Sequence, residues 1–427
     1  MVCIKKINGA MQLKRLNNKM SKKVLIIAHG HPEFNKGGGE QAAYQFYKEC
    51  LKQGDDAYFL ARTFVTPHGG AAFSSIKNKR EILFHTTHDD FFLFSNIKTR
   101  HLWGDFADLL EKIAPDIIYC HHYFLLGVEM MKIIKQKLPN SKLVLTLHEY
   151  YAICNNSGLM IKTGGQNKLC FESGTRECNG CFPDKSPGDF FLRKEYIMSC
   201  FEMVDTFIAP SAFLRQRYID WGISSEAIHV VENGQLENVA RTVKLNNTDK
   251  ISIVYIGQIN LFKGVDLLLD ALLLIPKELR QQFCIDIHGA NFGSQPSDFQ
   301  TKVYAQLKRL KSVVRMHGSY EPSELAGILG AANWVVVPSI WWENSPMVIQ
   351  EALNHQKPVI VSDIGGMAEK IQHNKTGLHF RAGSPVSLAD ALQKILNDPD
   401  LGSALAKNIT APLTLSESYI KINKIIS

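Results

Sequence analysis

The chain has 427 residues, of which 45% are hydrophobic and 21% are charged, a composition typical of a globular protein with two domains. The formal net charge is +7, but seven basic residues precede position 24 without an acidic residue among them, so the rest of the chain is close to neutral. This balance argues against a nucleic-acid partner, and the lack of any run of about 18 apolar residues argues against a membrane-spanning helix.

The basic segment over residues 1–20 is predicted to lie outside the folded domains. It lacks the apolar core and the small-residue cleavage site of a secretory signal. We favour a disordered stretch, or one upstream of a true start at Met20, over a basic amphipathic arm that touches anionic lipid. Nine cysteines without a secretory signal indicate a reducing compartment. The predicted location is therefore the cytoplasm, peripheral on the inner face of the membrane if the arm contacts lipid.

Strands alternate with helices through the first half of the chain. Residues 23–30 have the pattern of a buried strand, and a glycine-rich loop then leads into a predicted helix over 41–51. A second predicted helix covers 126–138. Further strands are predicted at 57–60, 116–120, 142–147, 204–209 and 227–231. This alternation predicts a doubly wound parallel sheet of the α/β class.

Two features of this half indicate ligand binding. Gly37 and Gly38 precede the first helix, where glycines let a phosphate or a sugar approach the backbone and where free N–H groups face an anion. A tight turn without a ligand is the alternative. His148 follows the strand over 142–147, at the carboxyl edge where such sheets bind ligands. It would donate to a sugar hydroxyl or serve a phosphate, although the same pattern fits a structural histidine.

A segment rich in glycine and asparagine interrupts the alternation between residues 154 and 181, and it holds four of the nine cysteines. They are Cys154, Cys170, Cys178 and Cys181. The last two have the Cys-x-x-Cys spacing of half a tetrahedral zinc site, and the first two would complete a closed, structural set. Reduced thiols in a loop are the alternative, and the sequence does not separate the two.

Residues 236–250 have the composition of a linker, and after them the alternation restarts. Strands are predicted at 251–257, 284–288, 313–316, 334–337 and 358–361. We therefore predict one domain over residues 21–240 and a second over 241–411.

The strongest candidate site follows the strand over 334–337. Glu343 lies near the first turn of the next helix and Glu351 lies farther along it; eight residues at about 100° each leave them about 80° apart, so both can face one ligand. Two solvated glutamates beside an amphipathic helix are the alternative. Lys263 precedes another predicted helix, where a cation and free N–H groups would neutralise a phosphate. Gly365 and Gly366 precede a third helix and suit the same contact.

Together these motifs resemble the family 4 glycosyltransferases, retaining enzymes with the GT-B fold, in which two Rossmann-like domains face a cleft. In the second half the matching motifs are Gly257 through Lys263-Gly264, Pro338-Ser339, Glu343-x7-Glu351-Ala352, Pro358-Val359-Ile360 and Gly365-Gly366-x-x-Glu369. In the first half they are Gly37-Gly38-Gly39-Glu40, His148-Glu149, Pro210-Ser211 and Asn233-Gly234.

The resemblance implies roles for the charged residues. Lys263 would bind the diphosphate of a nucleotide sugar, which gains negative charge as the leaving group departs. Glu351 would accept hydrogen bonds from both ribose hydroxyls, and Glu343 would lie beside the transferred sugar. His148 would contact the donor sugar from across the cleft.

The resemblance also implies which other residues line the donor. They are Gly37, Gly38, Gln258, Gly289, Ser319, Gly365 and Gly366. Gln258 stands where family members usually carry an arginine, so stabilisation of the diphosphate would depend more on Lys263 and on helix dipoles. In this fold the last helix crosses back to the first domain, a role that falls to residues 412–427.

The sequence therefore predicts a glycosyltransferase that moves a sugar from a UDP- or GDP-linked donor to a glycan or lipid-linked acceptor, with retention of anomeric configuration. The cysteine segment resembles an insertion in members that build surface polysaccharides, which indicates a role in polysaccharide biosynthesis. No cofactor is predicted for catalysis, since no Asp-x-Asp follows a strand; zinc would serve structure alone. The alternatives are a nucleotide-sugar 2-epimerase of the same fold and a catalytically weak sugar-binding subunit of a polysaccharide assembly complex.

Overall fold

The computed structural model describes residues 21–35, 37–64, 70–87, 89–96, 100–164, 168–237 and 250–427. The basic segment over 1–20, most of the predicted linker and the predicted boundary after residue 240 lie outside these ranges. The described chain divides into two compact units. The first runs up to Leu145 and includes Cys200–Asp205, and the second comprises Thr146–Ser199 and Thr206–Ser427.

The strands of the first unit are β1 (Lys23–Ala28), β2 (Asp56–Thr63), β3 (Phe73–Ser75), β4 (Glu81–His85), β5 (Ile117–Cys120) and β6 (Lys142–Thr146). They are ordered β3-β4-β2-β1-β5-β6, and every pair is parallel except β3 with β4. β1 is buried from its second residue onward, which explains its unbroken apolar sequence. The helices of this unit are α1 (Gly38–Lys52), α2 (Leu102–Ile113) and α3 (Met130–Lys137).

The second unit begins with short elements. In chain order they are α4 (Thr175–Cys181), α5 (Pro187–Phe201), β7 (Thr206–Ala209), α6 (Ala212–Trp221) and β8 (Ile228–Val230). β7 and β8 pair in parallel. The hydroxyl of Ser211 accepts a hydrogen bond from the Leu214 amide and so fixes the start of α6.

A wholly parallel sheet of six strands follows. The strands are β9 (Ile251–Ile256), β10 (Phe283–His288), β11 (Val314–Gly318), β12 (Trp334–Val337), β13 (Val359–Ser362) and β14 (Gly377–Phe380). Their order is β11-β10-β9-β12-β13-β14, so the chain adds strands on one side of β9 and then returns to build the other side from β12. The carboxyl ends of β9 and β12 therefore flank the switch point where sheets of this kind bind ligands.

Helices cover both faces of this sheet. They are α7 (Val265–Leu274), α8 (Lys277–Arg280), α9 (Ser297–Leu310), α10 (Leu325–Ala331), α11 (Met347–Asn354), α12 (Gly365–Lys370), α13 (Pro385–Asn397), α14 (Leu401–Ala406) and α15 (Leu415–Ile426), with short 3₁₀ turns at Phe292–Ser294 and Pro322–Glu324. Alternate residues of β9 enter two cores: Ile253 and Tyr255 join one, and Val254 and Ile256 join the other. Burial on both faces explains why β9 is apolar throughout.

The C-terminal helix α15 packs on the segment just before the second sheet. Thr414 and Glu417 form a capping box at its start. The Ser418 hydroxyl donates to the Glu232 carbonyl at 2.9 Å, and the Leu415 amide donates to the Gln235 carbonyl at 3.0 Å. No helix in the described ranges is long and apolar enough to cross a membrane.

The two parallel sheets confirm the predicted α/β fold, and β12 has the predicted bounds. The helix predicted over 126–138 begins only at Met130. Leu125 and Gly127, with φ of +64° and +99°, have backbone conformations that an α-helix excludes. The strands β3 and β4 and the helix α2 were not predicted individually; β3 has only three residues, which leaves little pattern to detect.

Candidate active site

Two loops meet at the switch point of the second sheet. One follows β9 and carries Lys263, and the other follows β12 and carries Glu343. The Ile340 amide donates to the Phe262 carbonyl at 2.9 Å, which joins the loops directly. Gly264 has φ of +72°, and a Cβ there would lie 1.9 Å from the Pro338 carbonyl oxygen. Only glycine allows the loops to pack this closely.

Lys263 and Glu343 form an ion pair across these loops. The distance from Lys263 Nζ to Glu343 Oε1 is 2.6 Å, and Glu343 is only 6% exposed. The Ser339 hydroxyl and the Trp341 indole N–H donate to the same oxygen at 2.7 and 2.9 Å. Burial alone would raise the pKa of Glu343, but the Lys263 charge and the three hydrogen bonds outweigh it and hold that pKa below its usual value. Glu343 is therefore a buried, ionised carboxylate.

A third loop, after β13, packs against the Glu343 backbone. The Gly366 amide donates to the Glu343 carbonyl at 2.8 Å. A Cβ at Gly366 would lie 1.6 Å from the Asn344 carbonyl oxygen, so the close approach requires glycine. Gly365 precedes it with φ of +60°. The amide of Gly366 is thus committed to holding Glu343, whereas the resemblance had assigned it to a sugar or a phosphate.

Glu351 lies on α11 in an environment unlike that of Glu343. Burial raises the pKa of its carboxyl group from 4.5 to about 7. No described residue forms an ion pair or a side-chain hydrogen bond with this carboxylate. A half-buried acceptor with no cation beside it suits a ligand that presents hydroxyl groups.

The remaining predicted donor residues of this unit follow the neighbouring strands. Gln258 is exposed two residues after β9, and its carbonyl accepts a hydrogen bond of 2.6 Å from the Tyr255 hydroxyl. Gly289 follows β10, and its amide donates to the Gly318 carbonyl at 2.7 Å. Ser319 follows β11 and is exposed. All three therefore lie at the carboxyl edge of the sheet, along with Lys263 and Glu343.

His148 is held next to Glu343 through its backbone. It is half-buried after β6, and its carbonyl accepts a hydrogen bond of 2.9 Å from the Asn344 side-chain amide. The same side chain accepts a hydrogen bond of 2.7 Å from the Ser211 hydroxyl. Glu369 of α12 accepts hydrogen bonds of 2.8 Å from both first amides of α6. These bonds join the loop of His148 and the start of α6 to the Glu343 loop.

Gly37 and Gly38 lie in the first unit at the start of α1. Gly37 is the residue before the helix, and Gly38 is exposed at its first position. Behind them Glu40 is buried and pairs with His29 at 3.1 Å. Burial would raise the pKa of Glu40, but the bond and the charge of His29 lower it. The Glu40 carboxylate itself lies at the start of α1, 2.3 Å from where a Cβ on Gly37 would stand, so the anion contact of Gly37 and Gly38 stays a prediction.

The four cysteines of the inserted segment line one cavity of about 20 Å³. All four are free thiols, and the Cys170 thiol donates to the Glu172 carbonyl at 3.0 Å. Burial, with added effects from Cys154 and Cys170, raises the pKa of Cys178 to about 11. As placed here, no group of three His, Cys, Asp or Glu side chains in the described ranges stands ready to hold a metal ion. The structural zinc site therefore stays a prediction.

The same segment is anchored beside Glu343. The Trp342 indole N–H donates to the Cys170 carbonyl at 2.9 Å, and the Phe171 ring lies 5.2 Å from the Trp342 ring. Arg217 donates to the Phe171 carbonyl. Trp342 is 5% exposed and so forms part of the packed wall beside Glu343.

Sequence reasoning missed three side chains of this site. Ser339 and Trp341 bond to Glu343, and Asn344 bonds to Ser211 and His148. The sequence feature that could have identified them is their position, since all three lie within five residues of Glu343 in the loop after a strand.

A parallel sheet of this order, with a paired lysine and glutamate at its switch point, defines an α/β protein of the class that binds ligands at this edge of the sheet. The sequence model of Glycosyltransferase Family 4 matches residues 36–235, and that of Glycosyl transferases group 1 matches residues 237–411. The chain therefore belongs to the glycosyltransferases of these two families, which have the GT-B fold.

Known relatives agree with this assignment. The chain is 30% identical over 157 residues to a D-inositol 3-phosphate glycosyltransferase of Corynebacterium jeikeium, which is 36% of this chain and 37% of that protein. It is 29% identical over 187 residues to a lipopolysaccharide 1,2-N-acetylglucosaminetransferase of Salmonella typhimurium, which is 40% of this chain and 48% of that protein. Its matches thus span a third to a half of the length of the curated relatives.

A solved structure shares the fold over nearly the whole chain. Anabaena Alr3699/HepE, determined in complex with UDP, aligns with 95% of this chain and 99% of its own, at a TM-score of 0.66 and 17% identity. At this identity the likeness shows the fold alone.

Proposed function

We propose that this protein transfers a sugar from a nucleotide-diphosphate donor to a glycan or a lipid-linked acceptor, with retention of anomeric configuration, in cell-surface polysaccharide biosynthesis. The observation that carries the proposal is the Lys263–Glu343 ion pair of 2.6 Å in the loops after β9 and β12, with Glu351 in the helix that follows. The Anabaena structures hold UDP and UDP-glucose, and the Salmonella relative is named a lipopolysaccharide transferase; both support the proposal.

Each charged residue has a distinct task in this reaction. Lys263 neutralises the diphosphate, whose negative charge grows as it leaves. Glu351 accepts hydrogen bonds from the ribose hydroxyls of the nucleotide. Glu343 stays ionised beside the sugar, where it stabilises the positive charge that develops at the anomeric carbon. Because Gln258 carries no charge, Lys263 and the start of α7 provide the electrostatic stabilisation on this side.

The bond changes involve the donor and the acceptor only. The bond from the anomeric carbon to the phosphate oxygen breaks, and its electron pair stays on the diphosphate. The acceptor hydroxyl attaches to the same face of the sugar and gives its proton to the departing phosphate oxygen. The protein contributes orientation and charge, and no protein atom bonds to the sugar.

A transfer assay tests the proposal. Purified protein is incubated with labelled UDP- and GDP-sugars and with cell lipids or glycans, and the products are separated and their anomeric configuration is read by NMR. We expect a labelled glycan or lipid with the configuration of the donor. Glu343→Gln should reduce transfer at least roughly 100-fold, as loss of one charge-stabilising group does elsewhere. The control Glu226→Gln changes an exposed glutamate outside this edge of the sheet and should leave transfer unchanged.

Three other outcomes would contradict parts of the proposal. Interconversion of free nucleotide sugars without an acceptor would identify a 2-epimerase. Binding without turnover would identify a sugar-binding subunit. A product of inverted configuration would remove the retaining mechanism while leaving the transferase activity in place.

A further inference from the structure

Trp341 contacts both charged residues of the site at once. Its indole N–H donates to Glu343 Oε1 at 2.9 Å, and Lys263 Nζ lies over its ring, 5.4 Å from the centroid. Lys263 and Glu343 are themselves joined at 2.6 Å. A phenylalanine would provide the ring without the N–H, and a serine would provide a donor without the ring. Tryptophan combines the two contacts in one side chain.

The three donors on Glu343 are not equivalent. Lys263 carries a charge that a diphosphate would attract, whereas Ser339 and Trp341 are neutral and belong to the same loop as Glu343. All three bonds reach Oε1, and in the described part of the chain no donor lies on Oε2. A diphosphate that draws Lys263 away therefore leaves Glu343 with two neutral hydrogen bonds and one open oxygen.

We propose that Trp341 is a positioning residue that fixes the Glu343 carboxylate while Lys263 moves from Glu343 to the diphosphate of a nucleotide sugar. The inference rests on the proposed function. In the free protein the ion pair keeps Lys263 near its place, and the Trp341 ring supports the cation there. When the donor binds, the indole N–H and the Ser339 hydroxyl keep Oε1 bonded, so Oε2 faces the sugar in one orientation.

The burial of Glu343 makes such support necessary. A carboxylate that is 6% exposed loses much of its hydration, and burial without partners favours its neutral form. A neutral carboxyl group would not stabilise positive charge on the sugar. Ser339 is 1% exposed and fixed by its surroundings, so it and Trp341 provide directed bonds at little entropic cost.

The test compares protein variants in transfer assays with the nucleotide sugar that the wild-type protein uses. Trp341→Phe removes the N–H and keeps the ring over Lys263. We expect kcat to fall roughly tenfold, the effect of one hydrogen bond to a charged group, with the donor KM changed less than threefold. The acidic limb of the kcat profile should move to higher pH, because Glu343 then has one donor fewer. Ser339→Ala should give the same split, so the inference remains testable if one variant folds poorly.

A matched control separates positioning from a general effect of losing a tryptophan. Trp221, at the end of α6, is also buried, and Lys194 Nζ lies over its ring, 5.9 Å from the centroid. The control variant is Trp221→Phe. Its kcat and pH profile should match the wild type. In UDP titrations Trp341→Phe should bind within threefold of wild type, since the ring beside Lys263 remains.

The outcomes distinguish this inference from the proposed function. If the wild-type protein transfers no sugar and binds neither UDP nor GDP, the proposed function fails. If the wild type is active and both Trp341→Phe and Ser339→Ala keep its kcat and pH profile, the proposed function stands and the positioning role is overturned. A fall in kcat with an unchanged pH profile, equalled by Trp221→Phe, would also overturn it.

Discussion

Glu343 and Glu351 are eight residues apart in sequence, yet their surroundings give them opposite properties. Glu343 accepts three hydrogen bonds, one from a cation, and its pKa lies below the usual value. Glu351 has no such partner, and burial raises its pKa to about 7. One acid is therefore ionised throughout the neutral range, and the other changes charge within it. This difference in pKa favours separate roles for the two carboxylates.

The titration of Glu351 predicts pH-dependent donor binding. Ionised Glu351 accepts hydrogen bonds from ribose hydroxyls more strongly than neutral Glu351, so UDP affinity should rise between pH 6 and pH 8. Glu351→Gln should weaken UDP binding roughly tenfold at pH 8, where a charged acceptor is lost, and less at pH 6. Calorimetric titration at both pH values measures the effect. An equal loss at both would contradict the role of the charge.

The same group predicts a stability effect of the opposite sign. Because the folded-state pKa of Glu351 is raised from 4.5 to about 7, its contribution to stability is full below pH 4.5 and is lost as pH rises through 7. Glu351→Gln has no carboxylate to ionise. The Tm of Glu351→Gln minus that of the wild type should therefore be larger at pH 8 than at pH 5. Thermal melts without ligand measure this difference, and a difference that does not grow with pH would contradict the prediction.

The resemblance supplied the roles proposed for Lys263, Glu343 and Glu351, but the sequence did not predict their bonds. Glu343 lies in the loop before α11, so the helical rotation expected between the two glutamates does not apply. A sequence shows that Trp341 is near Glu343 along the chain, and it does not show which way the loop turns. The contact depends on Gly264, whose positive φ brings the two loops together, and on the Phe262 carbonyl that binds Ile340. Such bonds between loops distant in sequence leave no local pattern.

At the scale of elements, glycines hold the loops of the site in contact. Gly264 packs on the Pro338 carbonyl, and Gly366 packs on the Asn344 carbonyl, each at distances that admit no Cβ. The loops after β9, β12 and β13 therefore form one assembly. The Gly366 amide donates to the Glu343 carbonyl and so stabilises this assembly. From the sequence, this amide was predicted to contact a ligand.

Elements with long apolar runs were predictable, and short or half-exposed elements were not. β9 and β12 are buried on both faces, so nearly every residue is apolar and the strand is evident. β3 has three residues and is antiparallel at the edge of its sheet, which leaves little pattern to detect. Helix starts also differ from the predicted ones: α3 was predicted to begin at residue 126, but turns precede it and it begins at Met130.

The cysteine segment gives a prediction at this scale. If the four thiols around the shared cavity bind zinc after rotation of their side chains, anaerobically purified protein should contain about one zinc per chain. The double variant Cys178→Ser with Cys181→Ser should lose the metal. Cys284→Ser, a half-exposed cysteine outside the segment, should retain it. Elemental analysis decides the matter, and wild-type protein without stoichiometric zinc would establish free thiols.

Loss of that metal should also reach the neighbouring site. The Cys170 carbonyl accepts the Trp342 indole N–H, and Trp342 is adjacent to Glu343. A chelator that removes zinc should therefore lower the Tm of the wild type and leave the double variant unchanged.

At the scale of the molecule, the fold and the family are established more firmly than the substrate. The α/β architecture followed from the alternation of strands and helices, and the two sequence models together cover residues 36 to 411 except for one position. Recognition of the sugar and the acceptor is expected in loops, which differ most among relatives. The matches to this chain span only a third to a half of the length of the curated relatives. The second sheet, in contrast, brings Lys263 and Glu343 together at its switch point, where we propose that the donor binds.

The proposed function depends on Lys263, at the switch point of that sheet, binding the diphosphate of a nucleotide. Calorimetric titration of UDP and GDP into wild-type protein, Lys263→Met and the exposed-lysine control Lys311→Met tests it most directly. We predict that one of the two nucleotides binds the wild type, that Lys263→Met weakens it at least roughly tenfold, and that Lys311→Met binds as the wild type does. Wild-type affinity in Lys263→Met, or no binding of either nucleotide to the wild type, would contradict the claim.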